Sequence, residues 1–211
     1  KACVQDRIIH HLLYKYLYQL FDKSFIYDSY SCRLNKGIHK AVKRIVKFIR
    51  IVSKNYTKDC WALKLDIKKF FASVDHQILI NLLKERINDA NILWLLKEVI
   101  DSFPSGIPLG NLTSQVFANI YLNELDQFIK HKLKVKYYLR YADDFILLSC
   151  SSDLNQWIKE IKYFLMNNLK LELHPKKIIL RKLDWGIDFL GYIVLPHYIL
   201  PRTKTKRRMF K

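Results

Sequence analysis

Apolar residues recur along this chain in two rhythms. Ile9, Leu12, Leu13, Tyr16, Leu17 and Leu20 fall three and four apart, which predicts an amphipathic helix over 6–21. Residues 25–32 are aromatic and Ser-rich and predict an extended segment or loop. A second helix follows over 36–54, with Ala41, Val42, Ile45, Val46 and Ile49 on one side and Lys40, Lys43, Arg44, Lys47 and Arg50 on the other. The period then drops to two. Trp61, Leu63, Leu65 and Ile67 alternate with the other positions, so this segment predicts a strand with Asp66 on the face opposite Leu65 and Ile67. Ser73-Val74-Asp75-His76 predicts a turn and a helix N-cap, with helical patterns to Arg86 and again over 92–100. A helix is expected from about Ser114 to Lys130 and another over 154–169. Strand-like segments at 136–140 and 145–148 flank Tyr141-Ala142-Asp143-Asp144, and further strands are predicted over 171–180 and 187–194. The order predicts an α+β fold, with helices on one side of a small antiparallel sheet and the Asp66 strand beside the Asp143-Asp144 hairpin.

Charge narrows the function. The 211 residues are 50% hydrophobic, enough for a packed core, yet carry 37 Lys and Arg against 19 acidic residues, a net charge of +18. A polyanion is the expected partner, nucleic acid ahead of a membrane surface, and no apolar stretch of spanning length or signal peptide is found. The polar face of the second helix is positive throughout, with no acid at i+4, which favours a phosphate-facing stripe over a merely solvated one. Arg33, just before it, is a further phosphate contact on weaker grounds. Cys3, Cys32, Cys60 and Cys150 are scattered without a C-x-x-C pair, which argues against zinc and for reduced core cysteines. His10-His11 is read as structural. Five glycines and five prolines leave no evident linker. The chain starts without Met and ends in a basic run with no closing element, as a fragment of a longer protein would.

Three carboxylates carry the chemistry. Asp is common in turns for its own reasons, and Tyr141–Asp144 alone could be an Asp-rich turn. Asp66 changes the balance, because a strand bearing one Asp beside a hairpin bearing two suits a pair of divalent metals in phosphoryl transfer. Adjacent like charges repel, and Mg²⁺ prefers oxygen ligands of this kind.

The succession Leu65-Asp66-Ile67-Lys68-Lys69-Phe70-Phe71, Leu109-Gly110-Asn111-Leu112-Thr113-Ser114-Gln115, Tyr141-Ala142-Asp143-Asp144, Leu173-His174-Pro175-Lys176-Lys177 and Phe189-Leu190-Gly191 resembles the palm and part of the fingers of a reverse transcriptase. The likeness covers nearly the whole chain and is greatest to bacterial enzymes related to group II intron reverse transcriptases. It implies partial fingers over 1–60, palm over 61–200 and the start of a thumb over 201–211. It implies RNA-directed DNA synthesis with two Mg²⁺ ions, for which Mn²⁺ can substitute, held by Asp66, Asp143, the supporting Asp144 and the Ile67 carbonyl. Phe70 and Phe71 would meet the dNTP, Phe71 as a gate against the ribose 2′-hydroxyl. Lys177 would assist the pyrophosphate leaving group, Phe189-Leu190-Gly191 would grip the primer end, and Tyr141 would lie on the nucleic-acid side. Leu109, Gly110, Ser114 and Gln115 stand where most group II relatives have Gln-Gly-x-x-x-Ser-Pro. That departure is similar to the enzymes of diversity-generating retroelements, which copy template RNA into cDNA with errors at adenines and work with a small basic accessory protein. Leu109, Gly110 and Gln115 would border the nascent base pair. A bacterial or phage-encoded cytoplasmic protein is implied. The alternatives are a group II intron-type reverse transcriptase or maturase, an RNA-directed RNA polymerase, which Phe71 disfavours, and a non-catalytic RNA-binding protein on the same fold.

Overall fold

A computed structural model describes residues 4–152 and 154–209; Cys3 and the last two residues of the expected thumb segment lie outside them. In chain order run α1 (Val4–Phe21), α2 (Ile38–Val52), β1 (Trp61–Asp66), α3 (Phe70–Ser73), α4 (His76–Lys84), α5 (Ala90–Asp101), α6 (Leu112–Gln127), β2 (Tyr138–Tyr141), β3 (Asp144–Ser149), α7 (Asn155–Leu169), β4 (Ile179–Lys182), β5 (Ile187–Phe189), β6 (Tyr192–Val194), β7 (Ile199–Pro201) and α8 (Thr203–Met209). They pack as two compact units, each assembled from separated stretches: 1–27, 67–134 and 159–173 in the first, 28–66, 135–158 and 174–211 in the second.

The first unit is helical and centres on α6. This helix is apolar or small on nearly every side, with Val116, Phe117, Ile120, Tyr121, Leu122 and Leu125 all buried, as expected of a helix surrounded by others. α1 and α4 pack against it. Tyr121 is buried but keeps its hydroxyl paired: it accepts from Asp75 N at 3.3 Å and donates to Leu169 O at 2.7 Å. Asp75 caps α4 as predicted, accepting from Ile78 N at 3.0 Å. A loop at 106–107 closes on α3. Gly106 has φ +67, and a Cβ there would lie 2.3 Å from Phe71 O. Ile107 N donates to Phe71 O at 2.7 Å, and His76 Nε2 bonds Gly106 O at 2.7 Å.

The second unit holds a four-stranded sheet in the order β2-β3-β1-β4, antiparallel throughout. α2 covers one face. Ala41, Ile45, Phe48 and Ile49 pack with Ala62, Leu139, Ile146 and Leu148, and Ile187, Phe189 and Val194 join this core from the small sheet β5-β6-β7. The sheet is apolar on its other face as well. Leu63, Leu65, Phe145 and Leu147, of opposite parity, are fully buried too.

Two strand predictions need correcting. Residues 171–178 form no strand beyond a bridge at Leu173; Pro175–Lys177 make a 3-10 turn, for which a residue lacking N–H is suited to the start, and pairing begins only at Ile179. Residues 187–194 are two strands, not one, because Leu190 (φ +51) and Gly191 (φ +86) reverse the chain. The basic C-terminal run is helical over Thr203–Met209, as α8. Of the cysteines, Cys60 is a core residue whose thiol is pushed up to about 12 by burial, whereas Cys150 is exposed. Among the described residues no helix is long and apolar enough to cross a membrane.

Gly106→Ala should destabilise the protein by about 2–4 kcal/mol, since it adds a clash to a left-handed backbone. Chemical denaturation measures this, and a loss below about 0.5 kcal/mol would show that the 106–107 loop is not held against α3 as described.

Candidate active site

The carboxylate cluster lies in the second unit and is a product of strand register. β1 and β3 align Asp66 directly with Asp144, and β2 closes onto β3 at Tyr141–Asp144. Directly opposed residues in an antiparallel pair share a face. Asp143 occupies the second position of the two-residue turn between Tyr141 and Asp144, after Ala142 at φ +53. That conformation suits glycine better than alanine, so the turn carries strain. Arg140 steadies it from beneath: fully buried, its Nη1 donates to Ala142 O at 3.2 Å. Its own backbone is held by residues 28–30, with Arg140 N donating to Asp28 O at 3.0 Å and Tyr30 N to Arg140 O at 2.9 Å. The aromatic, Ser-rich segment therefore serves as an edge partner for β2.

Each carboxylate has a cation in reach. Lys177 Nζ donates to both oxygens of Asp66 at 2.9 and 2.8 Å. This bond, above all, raises the Lys177 pKa. Lys64 Nζ lies 3.6 Å from Asp144 Oδ1. Burial pushes the Asp143 carboxyl above the usual range and nearby Asp66 adds to it, against the pull of Lys177 and Arg140. Asp144 is likewise raised by burial first, then by Asp66 and Asp143, with which it crowds, and by a hydrogen bond shared with Asp66; Lys64 opposes this. Burial, then Cys32, raises the Tyr141 hydroxyl.

Buried Asp66 and half-buried Asp143 and Asp144, the latter two with their ionised forms disfavoured, make an oxygen-only donor set that suits Mg²⁺ or Mn²⁺, so these residues fit divalent ions chemically. As the side chains stand, no group of three or more His, Cys, Asp or Glu is gathered tightly enough to hold a metal among the described residues. Lysines and Arg140 provide the compensation instead.

The other expected site residues divide. In the second unit, Phe189 is fully buried core, which corrects its place in a primer-contacting surface; only the Leu190-Gly191 turn is partly accessible. Arg44 also needs correcting. It turns from the stripe to the buried Asp28, donating through Nε at 2.7 Å and Nη2 at 3.2 Å. Arg33 donates to Ser29 O at 3.2 Å and Lys40 to Asn35 O at 2.7 Å, while Lys43 and Lys47 are exposed on α2. In the first unit, Phe70 is core, edge-on to Phe71 and Tyr121, so it is not a substrate contact; Phe71 is half-buried. The Ile67 side chain is buried, so its carbonyl is what it can offer. Leu109 is 76% exposed, Gly110 has φ +99, and Gln115 is partly accessible. His10 is tied to the same motif, Nδ1 bonding Thr113 Oγ1 at 2.8 Å and Nε2 accepting from Asn111 at 3.4 Å. Lys64 and Arg140 were not singled out from the sequence. The signal was a lone cation inside each apolar strand, at odds with its neighbours.

The family model described as reverse transcriptase (RNA-dependent DNA polymerase) matches residues 2–194. A putative COX1/OXI3 intron 2 protein of Saccharomyces cerevisiae is 24% identical over 98% of this chain and 31% of its own length. The group II intron-encoded protein LtrA of Lactococcus lactis is 26% identical over 89% of the chain and 42% of its own. Among solved structures, apo telomerase from Candida tropicalis, truncated from its C-terminal domain, superposes with a TM-score of 0.70 at 14% identity, covering 91% of this chain and 44% of that one. The chain spans less than half the length of each of these relatives.

A carboxyl raised in the folded state is favoured protonated, so Asp143 supports folding in acid and that support is lost as pH rises through its elevated pKa. In chelator, Asp143→Asn should therefore be more stable than wild type at neutral pH, with the gap closing below the ordinary carboxylate range. Thermal melts across pH test this; an equal or less stable variant at neutral pH would contradict the burial described.

Proposed function

This chain belongs to the reverse transcriptase (RNA-dependent DNA polymerase) family, and from that membership we propose that it forms the catalytic core of an RNA-directed DNA polymerase. The observation that carries the reading is the β1–β3 register, which sets Asp66 opposite Asp144 with Asp143 in the adjoining turn. A protein that only bound RNA would gain nothing from opposing carboxylates in a chain of net charge +18, where they repel phosphate.

The primer 3′-hydroxyl attacks the α-phosphate of a dNTP; an O–P bond forms and pyrophosphate leaves. Asp66 and Asp143, with Asp144 in support and the Ile67 carbonyl, would hold Mg²⁺ or Mn²⁺, which when bound offsets charge on the phosphate and acidifies the hydroxyl. Lys177, 52% exposed, can leave Asp66 to neutralise or protonate pyrophosphate. Phe71 is braced by Phe70 behind and by the 106–107 loop at its carbonyl, so its ring is rigid enough to reject a 2′-hydroxyl by clash. Lys40, Lys43 and Lys47 offer charge to template or primer phosphates. Leu190-Gly191 would meet the primer end through backbone, and Tyr141 would flank it.

Leu109 brings an exposed apolar side chain where an amide would hydrogen-bond near the nascent pair. This supports error-prone copying of a retroelement template, as in the diversity-generating type, with a small basic accessory protein. The intron-encoded relatives favour a second form of the reading, a group II-type enzyme that also aids its intron. Bacterial or phage-encoded cytoplasmic action fits either.

On a primed RNA template with Mg²⁺, the full-length protein should incorporate dNTPs, and Asp143→Ala should lower the rate by about 10³-fold or more without weakening template binding. RNA binding without synthesis in the wild type would shift the assignment to a binding protein. Phe71→Ala should admit ribonucleotides, and unchanged sugar selectivity would remove it from the gate. Template affinity should fall steeply with salt; an insensitive affinity would contradict phosphate contacts.

A further inference from the structure

We propose that Lys64 is a positioning residue that holds Asp144 as a paired, supporting carboxylate and so leaves Asp66 and Asp143 as the pair that takes the divalent ions. The inference deepens the polymerase reading and rests on it.

Lys64 precedes Asp66 by two residues on β1, so both side chains point to the same face. Its register partner on β3 is Ile146, which makes Asp144 its diagonal neighbour, and the ammonium reaches Asp144 Oδ1 at 3.6 Å. The side chain is only 16% exposed. Its Nζ stands 5.8 Å from the centre of the buried Phe189 ring, and its stem helps wall a cavity of about 200 Å³ with Ala62, Ile179 and Ile187. Charged residues also line that cavity, but they are engaged. Asp188 is held by Arg202 through Nε and Nη2 at 2.5 Å. Arg181 donates through Nη1 to the carbonyls of Trp185 and Gly186 at 3.2 Å. The acid within reach of Lys64 is therefore Asp144.

A shielded ammonium is costly to leave without a counter-charge, so Lys64 stays with Asp144, whose side chain is 30% exposed. Lys177 is in the opposite situation. Its side chain is largely in water and sits on a 3-10 turn, so releasing Asp66 returns the ammonium to solvent at little cost. The two lysines thus differ in kind: one is an exchangeable partner of Asp66, the other a fixed partner of Asp144. An incoming cation displaces the first and leaves the second. Lys64 also touches the ring that anchors the β5–β6 hairpin, so it joins the carboxylate face to the support of the Leu190-Gly191 turn.

The test is Mn²⁺ binding to the metal-free, full-length protein without nucleic acid, read from the paramagnetic resonance signal of free Mn²⁺. Lys64→Met should bind Mn²⁺ roughly tenfold more tightly or gain an equivalent, because Asp144 becomes a full ligand. Lys64→Arg, which keeps the charge, should bind within about twofold of wild type. In an Asp144→Asn background, Lys64→Met should change affinity by less than about twofold, the signature of coupling between this pair. In primer extension, Lys64→Met should lower kcat about tenfold or more with KM for dNTP nearly constant, and Lys64→Arg should restore most of it. Unchanged Mn²⁺ affinity in a Lys64→Met protein that melts like wild type would overturn the proposal. So would an equal shift in the Asp144→Asn background. If wild type fails to extend primers yet the Mn²⁺ pattern appears, the pairing stands and the polymerase reading fails.

Discussion

Two like charges facing each other across a pair of strands is an arrangement that sheets ordinarily avoid, and in this protein much of the second unit is built to tolerate it. Asp66 and Asp144 are placed by main-chain hydrogen bonds running from Trp61–Ser149 to Asp66–Asp144, and the same alignment buries Ala62, Leu63, Leu65 and the run Phe145–Leu148. A slip of one residue would carry Leu63 and Leu65 to the wrong face and part the carboxylates as well. Core packing therefore enforces a geometry that electrostatics opposes. What softens the opposition is local: Lys177, Lys64 and buried Arg140, supplied by three different strands or turns.

The supporting elements follow from that need. Arg140 can sit under the 141–144 turn because its backbone is tied to residues 28–30, and Asp28, which contributes one of those bonds, is itself neutralised by Arg44 from α2. A helix whose outer charges face solvent thus gives up one of them to stabilise the irregular segment that edges the strand leading into the carboxylate turn. In the first unit, the same logic uses hydrogen bonds instead of charge. Tyr121 connects the cap of α4 to the end of α7, and the 106–107 loop fastens the short helix that carries Phe71.

Much of this was legible in the sequence where periodicity decides the outcome. α2, β1 and the β2–β3 hairpin follow from apolar spacing, and the three aspartates stand out because carboxylates are out of place in such segments. What was not legible depends on distance in space. Strand parity is readable from the sequence, but only inter-strand register tells that Lys64 meets Asp144. Arg44 looked like one more member of a basic stripe because its acid lies 16 residues earlier. Phe70 and Phe189 sit inside motifs that suggest contact with substrate, yet an aromatic ring flanked by chemistry is as often what the chemistry rests on. The segment at 171–178 has strand-like composition, and Pro175 within it, lacking an N–H, was the clue to a turn.

The interleaving of the two units bears on how the chain reaches its native state. Neither unit is continuous: the helical one waits for residues 159–173, and the sheet-bearing one for 174–211. During synthesis the helical core therefore cannot close before residues 159–173 have emerged, nor the sheet-bearing core before residues beyond 174 have. Until then α1, α2 and the apolar strand β1 emerge without their final neighbours, a period of exposure that favours association between nascent chains. Late closure of long loops also slows the search itself. Because each core draws on stretches far apart in sequence, the early ones stay open to association until the later ones arrive, which is the situation chaperones relieve.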